Sequence, residues 1–342
     1  MSEFVYSNEL LVVYTNKNSS IFYKASNMVL DTYDLQGNVI GILYDDFDID
    51  TTIRDRWVRK YNNIQIMTVA PRKKTVKMDD KINFSKIMAD SLYVPKWYIS
   101  PNDIEPDTPE NQLFFVKERG STSARGVYIY SYKDIRDKKV TVTSSSIIHK
   151  NMISPKLLDG KRYKVRVYVL ISHGNIYVCR NAWGSSSDIN YIEYDGTASQ
   201  KTLNDMHIIY MRPGRKFFSF KDIEDSEKIF DSMCKSVRDF GIRFKDDISK
   251  FDKNEYSILG FDYVVDSNNN AYIIEINHRS NYHHTVEINE TVDIPAISDT
   301  MKVMVDGLIN LNKEDICLNH NCHDEFVFND TDYVKVYSLF DE

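Results

Sequence analysis

Two carboxylates and a carboxamide are spaced in this chain as a hard divalent cation would require. In Gly260-Phe-Asp-Tyr-Val-Val-Asp-Ser-Asn-Asn-Asn-Ala-Tyr-Ile-Ile-Glu-Ile-Asn277, two apolar, β-branched runs flank a cluster of turn residues, which is the pattern of a β-hairpin. A turn centred between Asn268 and Asn269, where Asn tolerates positive φ, sets Asp262 directly opposite Glu275. Asn277 shares the face of Glu275 because side chains repeat every second residue. Cross-strand neighbours lie roughly 5 Å apart, and two carboxylates so placed repel unless a cation or a proton joins them. Mg2+ suits such a sparse oxygen set, because it completes its shell with water and phosphate oxygens. Asp262, Glu275 and Asn277 are therefore the candidate metal ligands; an ordinary surface hairpin would carry the same residues solvated.

Cations occur in two further segments. Between Leu113 and Tyr130 an apolar strand ends at Lys117, a small polar loop with Gly120, Ser121 and Gly126 follows, and a second strand starts at Val127. A Walker loop needs Gly-Lys-Ser/Thr opening a helix, and neither is here. Small residues still let backbone N–H groups approach phosphate oxygens, and Lys117 adds a point charge. From Lys161 to Leu170, strand alternation puts Arg162, Lys164 and Arg166 on one face and Tyr163, Val165 and Val167 on the other. Like charges on one face are solvated or matched by an anion, for which a triphosphate or an acidic substrate is suited. After a His173-Gly174-Asn175 turn, Ile176 to Arg180 returns as a hairpin partner and adds Arg180 to the cluster.

The elements that must position these residues alternate between short strands and helices. The chain has 342 residues, 42% hydrophobic and 13% aromatic, enough for two or three packed units. Residues 1 to about 75, with apolar runs at Leu10 to Tyr14, Val39 to Tyr44 and Ile64 to Val69, form a small α/β unit that ends at Pro71-Arg72-Lys73-Lys74. A helix is expected between Asp79 and Ala89, before a turn-rich stretch marked by Pro95, Pro101, Pro106 and Pro109. Ile229, Phe230, Met233, Val237 and Phe240 fall at helical spacing, with Gly241 as the C-terminal stop, and a last helix is expected from about Ile297 to Asn310. A net charge of -7 argues against nucleic acid or a membrane as partner. The N-terminus lacks a leader pattern and the four cysteines lack a disulfide framework, so a soluble, cytoplasmic protein with reduced thiols is expected. Cys317, His320, Cys322 and His323 have zinc-ligand types at a spacing that matches no common structural zinc pattern, and are read as incidental.

Taken in order, these pieces resemble the ATP-grasp superfamily, and most closely its tubulin tyrosine ligase-like branch. Phe115-Val116-Lys117 and Ser121 to Gly126 resemble the family's lysine-bearing strand and small-residue loop. Ile147-Ile148-His149-Lys150-Asn151 resembles its adenine-holding hinge, Arg162 to Leu170 its basic strand, and Asn175 to Arg180 the strand after it. Leu203-Asn204 is loosely similar to its Thr-Asn step, and Gly260-Phe261-Asp262 with Ile274-Glu275-Ile276-Asn277 resembles its final signature. The resemblance covers about Leu113 to His278.

It implies an α/β (α+β) ATP-grasp fold in which two α+β lobes, 79–148 and 149–312, hold the nucleotide beside a smaller N-terminal α/β domain, 1–78, with a tail at 313–342. It also implies ATP and Mg2+ as cofactors. Lys117 and Lys150 would contact ATP phosphates and adenine, with Ser121, Gly126, Asn151, Arg162, Lys164 and Asn204 completing the nucleotide site. Arg166, with Arg180, would steady the γ-phosphate or an acyl-phosphate, and Asp262, Glu275 and Asn277 would ligate Mg2+. The implied activity is an ATP-dependent carboxylate–amine ligase that adds an amino acid to a protein or peptide acceptor bearing an acidic or carboxylate group. Two residues depart from the pattern: Lys164 stands where the tubulin-modifying enzymes usually carry Asp, and Ser185 or its neighbours stand where they carry a second substrate-facing Arg. Both departures are expected on the acceptor side, as is the run His278, His283 and His284. An inositol phosphate kinase of the same superfamily, which has a similar basic strand, and a nucleotide-binding protein without turnover are the alternative readings.

Overall fold

The computed structural model describes residues 4–340 except 8–9, 16–18, 33–34, 36, 45–50, 120–125, 141, 144, 153, 208–214, 279–281, 283 and 312–330. Its architecture is mixed α+β, as expected, with a twelve-stranded sheet and a separate four-stranded sheet among the described residues. The larger sheet runs Phe4–Ser7, Leu11–Thr15, Ile40–Leu43, Gln65–Val69, Glu255–Val265, Lys161–Ser172, Asn175–Cys179, Tyr333–Ser338. Ala271–Asn277 pairs with Glu255–Val265, and Trp183–Ser186 pairs with both Lys161–Ser172 and Lys216–Ser219. Phe4–Ser7 is antiparallel to Leu11–Thr15, whereas Leu11–Thr15, Ile40–Leu43 and Gln65–Val69 are parallel and join this sheet directly, since Thr68 and Val69 register with Glu255 and Tyr256.

Lys161–Ser172 is the central strand, and its two faces enter different cores. Val165, Val167, Val169 and Ile171 pack with Ile229, Phe230, Met233, Val237 and Phe240 of helix Ser226–Arg243. Tyr168 and Leu170 pack on the other side with Ile297, Met301 and Met304 of helix Ile294–Leu311. Each such side chain taken fully out of water contributes roughly 1.5–3 kcal/mol, and a strand covered on both faces reads as a nearly continuous apolar run. The smaller sheet, ordered Trp97–Tyr98, Ser146–Lys150, Leu113–Glu118, Val127–Ser131, has Phe114, Val116 and Ile148 in its own core.

Three helix expectations change. Gly241 does not stop its helix, which continues to Arg243. A Cβ there would lie 2.8 Å from Ile176 Cδ1 and from the Tyr337 ring, so the glycine permits close helix–sheet approach. The helix expected between Asp79 and Ala89 is Lys81–Ile87, and a further helix that was not expected, Arg72–Asp79, precedes it. Asp80 separates them, its Oδ1 accepting from Asn83 N at 3.0 Å as an N-cap. Finally, Ile294–Leu311 begins earlier than expected and is preceded by a π turn, Asn289–Asp293. Pro295 has no N–H to give the carbonyl four residues back, and its ring crowds that carbonyl, which favours such a local widening. Among the described residues no helix is long and apolar enough to cross a membrane.

Candidate functional site

The hairpin pairs Asp262 with Glu275, as its sequence predicts. The turn supplies only part of the reason. Near the turn the register is Val265 with Ala271 and Tyr263 with Ile273, which centres it on Asn268, half a residue from the expected position. Asn269 takes positive φ, +67°. One extra residue, Ile274, then bulges out, and the ladder resumes at Asp262 with Glu275. A bulged residue is left out of the ladder, and the Ile274 carbonyl accepts instead from Lys117 Nζ at 2.9 Å. The two sheets are joined at this bond.

Asp262 is 1% exposed and faces Arg166, its register partner on the central strand. Arg166 donates from Nε to Oδ1 at 2.6 Å and from a terminal nitrogen to Oδ2 at 2.8 Å, and Lys164 Nζ donates to Oδ2 at 3.0 Å. Burial pushes the Asp262 carboxyl up, but Arg166 and then Lys164 outweigh it and hold it at about 2. The guanidinium lies 5.6 Å from the Trp183 ring, and Trp183 is the cross-strand partner of Arg166. Lys164 therefore sits on a proposed metal carboxylate, Asp262. Ser185, the other departure from the family pattern, is the register partner of Lys164 and is fully buried. The two departures face each other as one cross-strand pair.

On the smaller sheet Lys117 is buried, and burial pushes its ammonium down to about 8, with Glu275 and Asp262 pulling up against Lys81 and Lys164. Its Nζ also lies 3.4 Å from His149 Nδ1, whose ring Nε2 is 3.4 Å from Ser85 Oγ. Burial, then Lys117 and Lys81, hold the His149 imidazole neutral, well below its ordinary range. Lys81 Nζ lies 3.6 Å from Glu275 Oε1. Lys81 and His149 had no role in the sequence reading beyond the hinge resemblance; the signal for Lys81 is its place directly after the Asp80 helix cap.

Arg162 is deeply buried at the other end of the same face. It donates to Asn151 Oδ1 at 2.8 Å, contacts His207 Nδ1, and lies over Tyr191. Burial pushes it down to about 10. Asn204, on helix Gln200–His207, accepts from Gln200 at 3.1 Å; Leu203 and Met206 of that helix pack on Leu113 and Ile129.

The remaining sequence candidates are not gathered in the same way. Lys150 registers with Phe114 of the small sheet's own core, so alternation turns it away from the face of Lys117 and His149. Arg180 pairs with Glu227 at 2.5 Å and lies 4.6 Å over Phe230, on the helix-covered face opposite Arg166. The turn is two residues long, His173-Gly174, with Ser172 opposite Asn175. A three-residue turn would have put Arg180 on the face of Arg166; one residue fewer reverses the face. Gly126 has φ +69° where its loop rejoins the strand. Ser121 and the Cys317, His320, Cys322 and His323 cluster lie outside the described residues.

Among the described residues no group of three or more His, Cys, Asp or Glu side chains could hold a metal ion. Asp262, Glu275 and Asn277 form the sparse, all-oxygen kind of set that Mg2+ accepts when phosphate and water complete its shell. Glu275 and Asn277 are only partly buried, whereas both Asp262 oxygens are taken by Arg166 and Lys164. The set fits Mg2+ with Glu275 and Asn277 as the open donors.

The model of the Tubulin-tyrosine ligase family matches residues 219–313, which include the hairpin of Asp262 and Glu275. Tubulin glycylase 3D of Tetrahymena thermophila is 20% identical over 58% of this chain and 21% of its own length. A probable beta-tubulin polyglutamylase of the same organism is 21% identical over 59% of this chain and 20% of its own. The chain thus spans about a fifth of the length of these curated relatives. The C-terminal domain of K. lactis Pby1, described as an ATP-grasp enzyme interacting with the mRNA decapping enzyme Dcp2, has a similar fold. Its TM-score is 0.58 at 13% identity, over 96% of this chain and 98% of that one. Over residues 219–313 the chain is thus similar to the Tubulin-tyrosine ligase family, and its fold is similar to that of an ATP-grasp enzyme.

Proposed function

We propose that this chain is an ATP-dependent carboxylate–amine ligase that joins an amino acid to an acidic protein or peptide through an acyl-phosphate. One observation carries the reading: Lys117 from one sheet and Lys164 and Arg166 from the other converge on the segment that holds Asp262 and Glu275. Fixed cations aimed at one locus, beside a carboxylate pair, suit phosphoryl transfer, which asks for positioning and charge stabilisation more than for covalent help. The names of the relatives make tubulin-like acidic acceptors, and glycine or glutamate, the first substrates to try.

Lys117 and Lys81 bind and orient the triphosphate from the side of the smaller sheet. Glu275 and Asn277, with Asp262, would hold Mg2+, which would supply charge neutralisation at the transferring group. Asp262 orients Arg166 by its two-point contact. Phosphate oxygens arriving at Lys164 and Arg166 compete for the donors that now hold Asp262, so nucleotide and metal binding are coupled through one carboxylate.

Mass spectrometry of oligoglutamate peptides incubated with ATP, Mg2+ and glycine or glutamate tests this. The reading predicts ADP together with a peptide heavier by one amino-acid residue. ADP with a phosphoester on a hydroxyl substrate, or no consumption of ATP, would contradict it.

A further inference from the structure

Beside Arg166 the structure holds a histidine–aspartate pair for which the phosphoryl chemistry has no use. Tyr168, two residues along the same strand face, donates its hydroxyl to Asp293 Oδ1 at 2.7 Å. Asp293 is fully buried, and its Oδ2 lies 2.6 Å from His284 Nδ1. The His284 ring packs on Trp183, centroids 4.4 Å apart, and on Phe217 at 5.6 Å. Trp183 is the residue under the Arg166 guanidinium, and Phe217 is the register partner of Ser185. The pair thus stands on the same sheet face as Lys164 and Arg166, one ring away from the guanidinium. Asp293 is the last residue of the π turn before Pro295, and such turns recur at functional sites.

The geometry fixes a tautomer. A carboxylate at Nδ1 keeps the proton there, leaving the Nε2 lone pair as acceptor. Among the described residues Nε2 has no hydrogen-bond partner. The groups around the ring are Asp293 and the Tyr168 hydroxyl behind it, Arg166 beyond Trp183, and Arg215, 4.4 Å over Phe217. Asp293 orients the ring through Nδ1, while the arginines are separated from it by aromatic rings.

Resting on the ligase reading, we propose that His284, positioned by Asp293, takes the proton from the incoming amino acid so that its amine can attack. An amino group is an ammonium at neutral pH and has no lone pair to offer. It gives one proton to His284 Nε2, and the freed lone pair forms the C–N bond at the acyl carbon. The C–O bond to the phosphoryl group breaks with its electron pair leaving on phosphate, which also carries away the second nitrogen proton. The ligand class at this end of the site is a primary ammonium.

Hydroxylamine separates this role from a structural one, because it is unprotonated at neutral pH and needs no base. With oligoglutamate, ATP and Mg2+, His284→Ala should lower amide formation from glycine or glutamate by about 100-fold or more. Hydroxamate formation from the same peptide should stay within a few-fold of wild type, and raising the pH should restore part of the amino-acid rate. Asp293→Asn, which keeps the shape and loses the charge, should show the same split and serves if His284→Ala fails to fold. Equal losses with both nucleophiles, or no loss with either, would overturn the proposal. A wild-type protein that makes neither amide nor hydroxamate would overturn the ligase reading itself and the inference with it.

Discussion

Arg166 and Arg162 lie on one face of one strand, four residues apart and both buried, yet their charges are settled in opposite ways. Arg166 meets Asp262 through two hydrogen bonds, and the carboxylate outweighs burial to hold the guanidinium above its ordinary range. Arg162 meets only neutral partners among the described residues, Asn151 and His207 with the Tyr191 ring, and burial brings it down to about 10. Its neighbour His207 is pushed to about 2 by burial and then by Arg162, so it stays neutral. Burying a charge is costly unless a partner of opposite sign is buried with it. The Arg166 end of the face is therefore complete within the protein, while the Arg162 end holds a buried charge with no carboxylate against it among the described residues.

Removing each arginine should separate the two cases. Arg166→Ala leaves Asp262 buried with only Lys164, and breaking such a pair costs about 3–5 kcal/mol. Arg162→Met removes an unmatched charge and keeps the apolar stem, so the loss should be about 1–2 kcal/mol for the hydrogen bonds given up. Urea unfolding of both variants measures the difference; equal losses would break the comparison.

Lys117 belongs with Arg162, a buried cation displaced downward, here to about 8. Between that value and the ordinary one the unfolded chain binds more protons than the folded chain, so stability rises with pH. The penalty is present in full below about pH 8 and is relieved as pH climbs toward the ordinary lysine value. Lys117→Met should remove this alkaline gain. An unchanged slope of stability against pH from 7.5 to 9.5, on the order of this window, would mean that Lys117 is already neutral or well solvated.

A smaller effect sharpens the picture of the scaffold. Gly241→Ala drives a methyl into Ile176 and Tyr337 and should cost about 1–3 kcal/mol, with no change in the affinity of either arginine's end for anions.

The sequence made the residue types of this site legible, but parity and pairing only in part. Period-two alternation correctly placed Lys164 and Arg166 together and Val165 and Val167 in the core, because a strand has only two faces. Asp262 opposite Glu275 was also legible, though the bulge at Ile274 makes up the half-residue error in the turn. Bulges carry little local signal, and here the bulged carbonyl is the one that Lys117 takes. Arg180 was misplaced because a two-residue and a three-residue turn are hard to tell apart in His173-Gly174-Asn175, and the difference reverses the face. Gly241 reads as a helix stop in sequence; only the packed sheet beneath it shows close approach. The His284–Asp293 pair depends on a π turn nine residues away in the chain, which no local periodicity reveals.

The central claim is that the junction of the two sheets, where Lys117 meets the bulge of the Asp262–Glu275 hairpin, is the proposed nucleotide site. Calorimetric titration of a non-hydrolysable ATP analogue with Mg2+ tests it most directly. A charge-assisted hydrogen bond contributes about 1.5–3 kcal/mol, so Lys117→Met should weaken binding by roughly tenfold to a hundredfold. Arg180→Met, on the opposite face of the sheet, should bind as wild type does. Wild-type affinity in Lys117→Met, or a comparable loss in Arg180→Met, would contradict the account.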